Sequence, residues 1–492
     1  MGPDTDELLF HARKDKKIAL ALFVLLWGTF IYFAHGGGWG PNAQFDLMRA
    51  VVEKRTFRID EYAANTGDWA KVGDRLYINK NPGASFLAVP AYFLLHLLWR
   101  DPFASFTGLQ IASHFIGAFS FALLAAIAAA LLFLFLRFFT SRTVSIVLTL
   151  SYALGSMNLS NASHFNTGII VSSSYIIAAF AIWMMPAHAE KGSKFPVPAV
   201  IAGFACGFAV LTEMTAVFGA AILFAVLICR VRRVRAWLWF LAGAVPPLIL
   251  LACYNLSVTG RVLSSVYIYE NPIFRHPDAF MGVFQAPSIS VLYWITLHPI
   301  RGLIWVSPVL LLTAPGLFFL WKKKETRALA ILCGGMIAVY LLFNMSFIAW
   351  DGGWCVGPRY LAPAMPFFFL PLIEVFLRPV WRWAAGLLAA LSIAIQLVIT
   401  AVNPWPPPLR GMTNPLTQYI WPVFNGGYVS TNNQTLLQVV PNDPLSLKTF
   451  EERWASYNLG EVVGLYGRNS LLPLLFFWAI MAWILVHRRR AK

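Results

Sequence analysis

Long apolar runs, separated by short basic segments, recur along the whole chain. Each is long enough to cross much or all of the roughly 30 Å hydrocarbon core of a bilayer as a helix. The pattern therefore predicts an all-α polytopic membrane protein. The clear spans are predicted at 18–35, 108–136, 143–160, 167–185, 236–254, 302–321, 328–349, 360–377, 383–401 and 471–487.

Two further apolar runs leave the topology open. The run 197–229 would measure about 50 Å as one helix, and "LTEMT", with Glu213 in its middle, predicts two short helices instead. The run 83–99 carries no formal charge, yet Lys80 stands just before it. If 83–99 stays in the interface and 197–229 crosses twice, the chain has about 12 transmembrane helices. In the alternative, 83–99 crosses and 197–229 crosses once.

The basic residues favour the 12-helix topology. It places more than half of the 38 Lys and Arg in short segments on one side, as expected of cytoplasmic loops. The alternative puts "RFFTSR" and "EKGSK" on the wrong side. The net charge of +16 is thus explained by inner loops, and these basic runs lack the interleaved aromatic residues of a nucleic-acid site. Both termini are predicted to be cytoplasmic.

Residues 1–492 form a single predicted membrane domain with three substantial outer segments, 36–107, 256–301 and 402–470. In the first, "AQFDLMRAVVEK" has helical periodicity, with Phe45, Met48 (or Leu47), Val51 and Val52 on one face, which predicts an amphipathic interfacial helix. The third opens with the rigid "NPWPPPLRGMTNP" and continues with polar "STNNQT" and charged "KTFEERW". It is predicted to cap the external face.

An acidic residue in the first outer segment is the candidate catalytic base. Asp46 lies in the amphipathic stretch, where a carboxylate can face a cavity and accept a proton from a hydroxyl. Alternatively, Asp46 is an i,i+3 partner of Arg49 on a wet surface. The competing carboxylates in the same segment are Asp60, Glu61, Asp68 and Asp74.

Two cations are suited to hold a phosphate. Lys80 precedes Pro82 and Gly83, which permit a turn with accessible backbone amides, although a lysine at headgroup level can also simply snorkel. In "WDGGWCVGPRYLAPAMP", three glycines permit a tight loop before Arg359, whose guanidinium suits bidentate phosphate contact. Asp351 is an alternative, structural partner for Arg359.

Weaker candidates lie in other outer loops. Arg301 begins a helix and is either a second phosphate contact or an interface anchor, and Glu213 is a costly acid at the membrane edge. His164 and Asn166 stand in "NASHFNTG". None of the outer segments contains a DxD triplet, and the chain has no nucleotide-binding glycine loop or P-loop. A divalent metal stays possible, and the sequence does not identify a cofactor.

These motifs resemble membrane glycosyltransferases of the GT-C fold, in the branch of protein O-mannosyltransferases and the lipid A aminoarabinose transferase. The resemblance covers about the first 260 residues, in "FDLMRAVVEKRTFRID", "YINKNPGASFLAVPAYFLL" and "GFACGFAVLTEMTA". It implies that Asp46 is the catalytic acid-base position and Lys80 the phosphate contact. Glu213 stands where the family often has lysine, and Leu47 follows Asp46 where an Asp-Glu pair is frequent.

The resemblance implies an inverting transferase in a bacterial inner membrane. Its donor would be a sugar linked to polyprenyl phosphate, and its acceptor a hydroxyl on a lipid, glycan or protein at the outer face. Lys80 and Arg359, with Arg301, would hold the phosphate. We also expect a lowered pKa for Asp46, from a neighbouring Lys80. The alternatives are a lipid or lipid-linked-sugar transporter, which typically has midplane polar groups and repeats, and a non-catalytic assembly subunit.

Overall fold

The computed structural model describes residues 15–103, 105–190, 197–407, 411–432 and 455–490, most of which are helical. Within these ranges, six helices are long and apolar enough to cross a membrane by length and composition, and several shorter apolar helices accompany them. Their aggregate pattern is that of a multi-pass membrane protein.

The first half of the chain contains the helices that surround the first outer segment. The helices Phe106–Gly117 and Leu123–Leu136 form one continuous run, because the π-turn Ala118–Ala122 joins them. The helices are α1 Lys16–Phe30, α2 Trp39–Lys54, α3 Gly83–Leu98, α4 Phe106–Gly117, α5 Leu123–Leu136, α6 Arg142–Leu154, α7 Asn158–Asn161, α8 Thr167–Glu190, α9 Val197–Thr212, α10 Ala216–Arg230 and α11 Val234–Thr259.

The second half alternates membrane-length helices with several short helices of four to ten residues. A 3₁₀ segment, Arg359–Ala364, leads directly into the short helix Met365–Phe369. The helices are α12 Ile289–Thr296, α13 Leu303–Val306, α14 Thr313–Lys322, α15 Arg327–Ser346, α16 Met365–Phe369, α17 Leu372–Phe376, α18 Pro379–Val402, α19 Trp421–Asn425, α20 Leu459–Val462 and α21 Leu472–Arg490.

Two small antiparallel sheets tie the outer segments together. Strand β1 (Phe33–Ala34) pairs with β4 (Tyr457–Asn458), so the end of α1 is joined to the third outer segment. Strands β2 (Trp69–Val72) and β3 (Arg75–Ile78) form a hairpin within the first. Of the third segment, the polar "STNNQT" is described only as far as Asn432, and "KTFEERW" lies outside the described residues.

The break at Glu213 is confirmed, since α9 ends at Thr212 and α10 begins at Ala216. Helix α9 also packs very closely on α11. A Cβ at Gly203 would lie 1.8 Å from the Phe240 carbonyl oxygen, and one at Gly243 would lie 2.2 Å from that of Val200. Glycines at both contact points therefore let the two backbones touch, as small residues do between transmembrane helices.

Helices α2 and α3 lie side by side. The Ser85 hydroxyl donates to the Gln44 side-chain oxygen (2.6 Å), and farther along the Tyr92 hydroxyl donates to Glu53 (2.6 Å). Residues 42–48 of α2 are buried throughout, so the predicted amphipathic helix is covered by protein and does not simply lie on the surface. The far end of α3 exposes apolar side chains, including Leu97 and Leu98, which suits contact with lipid.

Ion pairs join several of the basic turns to the bundle. Asp15, fully buried, accepts from Arg137 Nε (2.5 Å) and Arg142 Nε (2.8 Å) at the turn between α5 and α6. This places the beginning of α1 and that turn at the same end of the bundle, as the distribution of basic residues predicts.

The predicted position of α3 is testable by thiol labelling. Asp101 is exposed just after α3, and we expect Asp101→Cys to react with a membrane-impermeant thiol reagent applied from the side of the three outer segments. The background should have Cys229 and Cys253, both exposed, replaced by Ala. Arg261→Cys is the control for the same side and Arg235→Cys for the opposite side. Labelling of Asp101→Cys together with Arg235→Cys would mean that α3 crosses the membrane.

Candidate active site

Lys80 and Glu213 are brought together by the contact between the beginning of α3 and the end of α9. Gly83 lies so close to Thr212 that a Cβ would be 2.6 Å from its Cα atom, and the Asn81 side-chain amide donates to the Val210 carbonyl (2.8 Å). Any side chain at position 83 would push the two helices apart. The loop that carries Lys80 is thereby fixed beside the break between α9 and α10.

Lys80 forms an ion pair with Asp68, and its ammonium also donates to Asn79 Oδ1 (3.2 Å). Asp68 is held in turn by the local backbone, where its amide donates to the Thr66 hydroxyl (3.0 Å). Both side chains keep some exposure, 28% for Lys80 and 13% for Asp68. The pair therefore has access to a ligand that approaches from solvent or headgroups.

The second outer segment closes one side of this site. Asn271 donates from its backbone to the Trp69 carbonyl (2.9 Å) and from its side chain to the Gly67 carbonyl (3.0 Å), and Glu270 forms a β-bridge with Ala70. Glu270 is thereby placed within electrostatic range of both Lys80 and Asp68.

Arg359 supplies the second cation. Its guanidinium donates to the Tyr360 hydroxyl (3.2 Å) and lies within electrostatic range of Asp68 and Glu213. Its side chain is exposed, and it makes no ion pair with any described residue, Asp351 included. We call Asp68, Lys80, Glu213, Glu270 and Arg359 the charged cluster.

The loop before Arg359 has the tight geometry that its glycines predict. Gly352, Gly353 and Gly357 all have positive φ (+71°, +63° and +85°), a conformation that costs glycine little. Arg301 clamps this loop. Its guanidinium donates to the carbonyls of Asp351 and Gly353, both at 2.6 Å, and the residue is only 6% exposed.

Burial alters the protonation of two carboxyl groups in the cluster. Desolvation raises the pKa of Glu213, while the hydroxyls of Thr215 and Thr167 and the charges of Lys80 and Arg359 act the other way. Desolvation also raises the pKa of Glu270, opposed by Arg275 and Lys80. Favouring the neutral carboxyl forms leaves more of the two cations' charge for an anionic ligand.

Asp46 is not part of this cluster. Its carboxylate is fully buried, with Oδ1 accepting from the Asn65 side chain (3.1 Å) and Oδ2 without a hydrogen-bond partner among the described residues. Burial raises its pKa well above the ordinary value, so the expected lowering by Lys80 is wrong. The alternative pairing with Arg49 is also wrong, because Arg49 pairs with Glu53 (2.7 Å).

The weaker candidates have structural contacts of their own. The Asp60 carboxylate accepts from the Leu76 amide (2.9 Å), and Glu61 pairs with Lys54 at the surface (3.2 Å). His164 is buried and stacks on Trp405 with a centroid distance of 4.1 Å.

Asn166 caps the beginning of α8, since its side-chain oxygen accepts from the Gly168 amide (2.8 Å). Asp351 contributes through its backbone carbonyl, which accepts hydrogen bonds from both Arg301 and the Cys355 thiol. Asn166 thus stabilises the beginning of α8, and Asp351 stabilises the loop before Arg359.

Sequence reasoning did not identify Glu270 or its neighbour Tyr267, whose hydroxyl lies within electrostatic range of Glu213, Asp68 and Tyr360. The only local signal is a lone acid in the aromatic stretch "VYIYENP". Their place in the site depends on the docking of the second outer segment onto the β2–β3 hairpin.

The described architecture matches that of a solved membrane enzyme. ArnT from Cupriavidus metallidurans bound to undecaprenyl phosphate superposes with a TM-score of 0.51 at 16% sequence identity. The match covers 78% of this chain and 63% of ArnT, so this chain spans less than two thirds of its length. The chain has the GT-C fold of ArnT. This confirms the predicted all-α polytopic fold class and the resemblance stated above.

The apo state of the same ArnT matches with a TM-score of 0.47, also at 16% identity. No protein-family model matches the sequence, and no curated protein matches it.

Proposed function

We propose that this protein transfers a sugar from a polyprenyl-phosphate-linked donor to an acceptor hydroxyl, with inversion at the sugar. Lys80 and Arg359 would hold the donor phosphate and stabilise its charge as the sugar leaves. The observation that carries the proposal is their convergence, from chain segments far apart in sequence, in a GT-C fold whose solved neighbour ArnT binds undecaprenyl phosphate.

The small number of ion-pair partners of Lys80 and Arg359 supports binding of an anionic ligand. Lys80 has only Asp68 as an ion-pair partner among the described residues, and Arg359 has none. A phosphate oxygen can replace or share the Asp68 contact at Lys80 and accept from the planar fork of Arg359. Arg301, whose guanidinium is committed to backbone carbonyls, would position the loop and not touch the phosphate.

Asp46 is proposed as the base that takes the acceptor proton. A carboxyl whose pKa is raised by burial is better matched to proton abstraction near neutral pH than an ordinary aspartate. Its Oδ2, which has no hydrogen-bond partner among the described residues, is left to accept from a hydroxyl. Asp68, beside Lys80, is the competing carboxylate.

The active face is proposed to be periplasmic, in a bacterial inner membrane with both termini in the cytoplasm. The acceptor would then be a lipid-, glycan- or protein-linked hydroxyl on that face. A donor already anchored in the membrane reaches this site without a soluble nucleotide sugar.

Binding of undecaprenyl phosphate to purified protein tests the donor assignment. Lys80→Ala should weaken binding about 10- to 100-fold, because a hydrogen bond to a charged group contributes about 1.5–3 kcal/mol. Lys71→Ala, which removes an exposed lysine from the adjacent β2 strand, is the matched control and should bind normally. Equal affinities for wild type and Lys80→Ala would remove Lys80 from the phosphate site.

A further inference from the structure

Arg230 lies at the opposite end of the bundle from the charged cluster. It is the last residue of α10, which begins just after Glu213. Fifteen helical residues place it about 21 Å along the helix from that site, at 1.5 Å per residue. Nothing in the proposed sugar transfer uses this end of the protein.

The guanidinium of Arg230 lies against an aromatic ring and has no carboxylate partner among the described residues. Its Cζ lies 4.2 Å from the ring centroid of Trp183, which is held by Phe135 (5.2 Å) and Phe139 (6.0 Å). Its Nε is buried and has no hydrogen-bond partner among the described residues. A buried donor without a partner is destabilising, and more so when the group is charged.

Other basic residues at this end of the bundle form ion pairs with carboxylates of the chain. Arg137 and Arg142, on the turn next to Phe139, share the buried carboxylate of Asp15. Lys323 and Arg378 share Glu374 in the same way. Arg230 has no ion pair to a described carboxylate, so its charge is left for a partner from outside the chain.

The surroundings of Arg230 are strongly cationic. Arg232 is exposed on the turn that follows and Arg235 in the first turn of α11, and the sequence has no acidic residue between Glu213 and Glu270. The turn itself is rigid, because the Trp237 indole donates to the Val231 carbonyl (2.8 Å). The cations are thus presented on a fixed backbone.

We propose that Arg230, with Arg232 and Arg235, binds the phosphate of an anionic phospholipid. A planar guanidinium held on an indole face presents its outer edge for bidentate contact with phosphate oxygens. Basic pockets between transmembrane helices bind lipid headgroups in this manner. Exposed apolar side chains on the adjacent helix, Val234, Leu238 and Leu241, continue from the turn and provide contact for acyl chains.

The apolar surface favours a lipid over free phosphate as the source of the anion. A phosphate bound only by arginines would gain nothing from Val234 and Leu238, whereas a phospholipid buries part of their surface as well. The site is independent of the proposed sugar transfer, so either proposal can fail alone.

Native mass spectrometry of the full chain in neutral detergent, with dioleoyl phosphatidylglycerol as the probe, tests the site. Arg230→Gln should weaken the tightest bound phosphatidylglycerol at least about 10-fold, and Arg230→Lys should weaken it less. The control is Lys324→Gln, which removes one exposed positive charge from another basic turn and should leave the tight site intact.

Three outcomes would overturn the proposal. Equal losses in Arg230→Gln and Lys324→Gln would mean general attraction to a basic surface. Equal binding of phosphatidylcholine would remove the role of the anionic headgroup. Displacement of the lipid by equimolar inorganic phosphate would assign the site to a free phosphate. If Arg230→Gln does not fold, Arg230→Lys is the test, because lysine retains a cation over Trp183. Weaker phosphatidylglycerol binding than in the wild type would then support the proposal, and unchanged binding would overturn it.

Discussion

Asparagine in place of Asp46 should slow sugar transfer by about 10²–10⁴-fold, the usual contribution of a general base. Asn keeps the shape of the side chain and can still accept from Asn65 at its remaining oxygen. We therefore expect folding and undecaprenyl phosphate binding to stay close to wild type. The measurement is the release of undecaprenyl phosphate from a bacterial lipid extract, followed by mass spectrometry, with thermal unfolding recorded alongside.

The pH dependence of the rate gives a second readout. A base acts when deprotonated, and burial raises the pKa of Asp46. The wild-type rate should therefore fall as the pH is lowered through a value above that of an ordinary aspartate. This fall should be missing from the residual activity of Asp46→Asn. Asp46→Asn with the wild-type rate and profile would remove Asp46 from the mechanism.

Asp68→Asn is the matched comparison, because it alters the carboxylate that lies beside Lys80. We expect it to loosen Lys80 and raise KM for the donor more than it lowers kcat. The opposite result, a large loss of kcat for Asp68→Asn and none for Asp46→Asn, would assign the base to Asp68.

Arg359→Ala should weaken undecaprenyl phosphate binding about 10- to 100-fold, as expected for a lost charge-assisted hydrogen bond of about 1.5–3 kcal/mol. Arg359→Lys should recover only part of this, because lysine keeps the charge but lacks the planar fork. Stability should change little, since the guanidinium has only the Tyr360 hydroxyl as a hydrogen-bond partner among the described side chains. Binding is measured on purified protein by native mass spectrometry.

Arg301→Lys is the control for this prediction, since Arg301 lies close to the same loop but is buried against carbonyls. It should lower the thermal unfolding temperature through the loss of the clamp on Asp351 and Gly353. Unchanged affinity in both Arg359 variants would show that Arg359 is a structural residue.

The local sequence was sufficient to predict the helices and several parts of the candidate site. The break at Glu213 followed from length, because an uninterrupted 197–229 helix would exceed the bilayer. The loop before Arg359 followed from Gly352, Gly353 and Gly357, all of which have positive φ. These features depend on backbone chemistry and on the thickness of the membrane, both of which act on neighbouring residues.

Which side chains meet was decided by the tertiary structure alone. Lys80 pairs with Asp68 because the β2–β3 hairpin brings the residues at its two ends together. Gly83 lets α3 pack on Thr212 and so places Lys80 beside Glu213, whereas the sequence predicted an influence of Lys80 on Asp46. Asp46 became a buried acid because α2 is covered on both sides, so desolvation outweighs any nearby positive charge.

Glu270 reached the charged cluster only through the docking of the second outer segment on the β2–β3 hairpin. By sequence alone, the hydrophobic pattern determined that this chain is a helical membrane protein with basic turns and polar outer segments. Periodicity and composition report how each segment divides between lipid and water. The long-range contacts between segments decided the protonation and partners of Asp46, Lys80 and Glu213, because burial and Coulomb interactions depend on distance in space and not on separation in sequence.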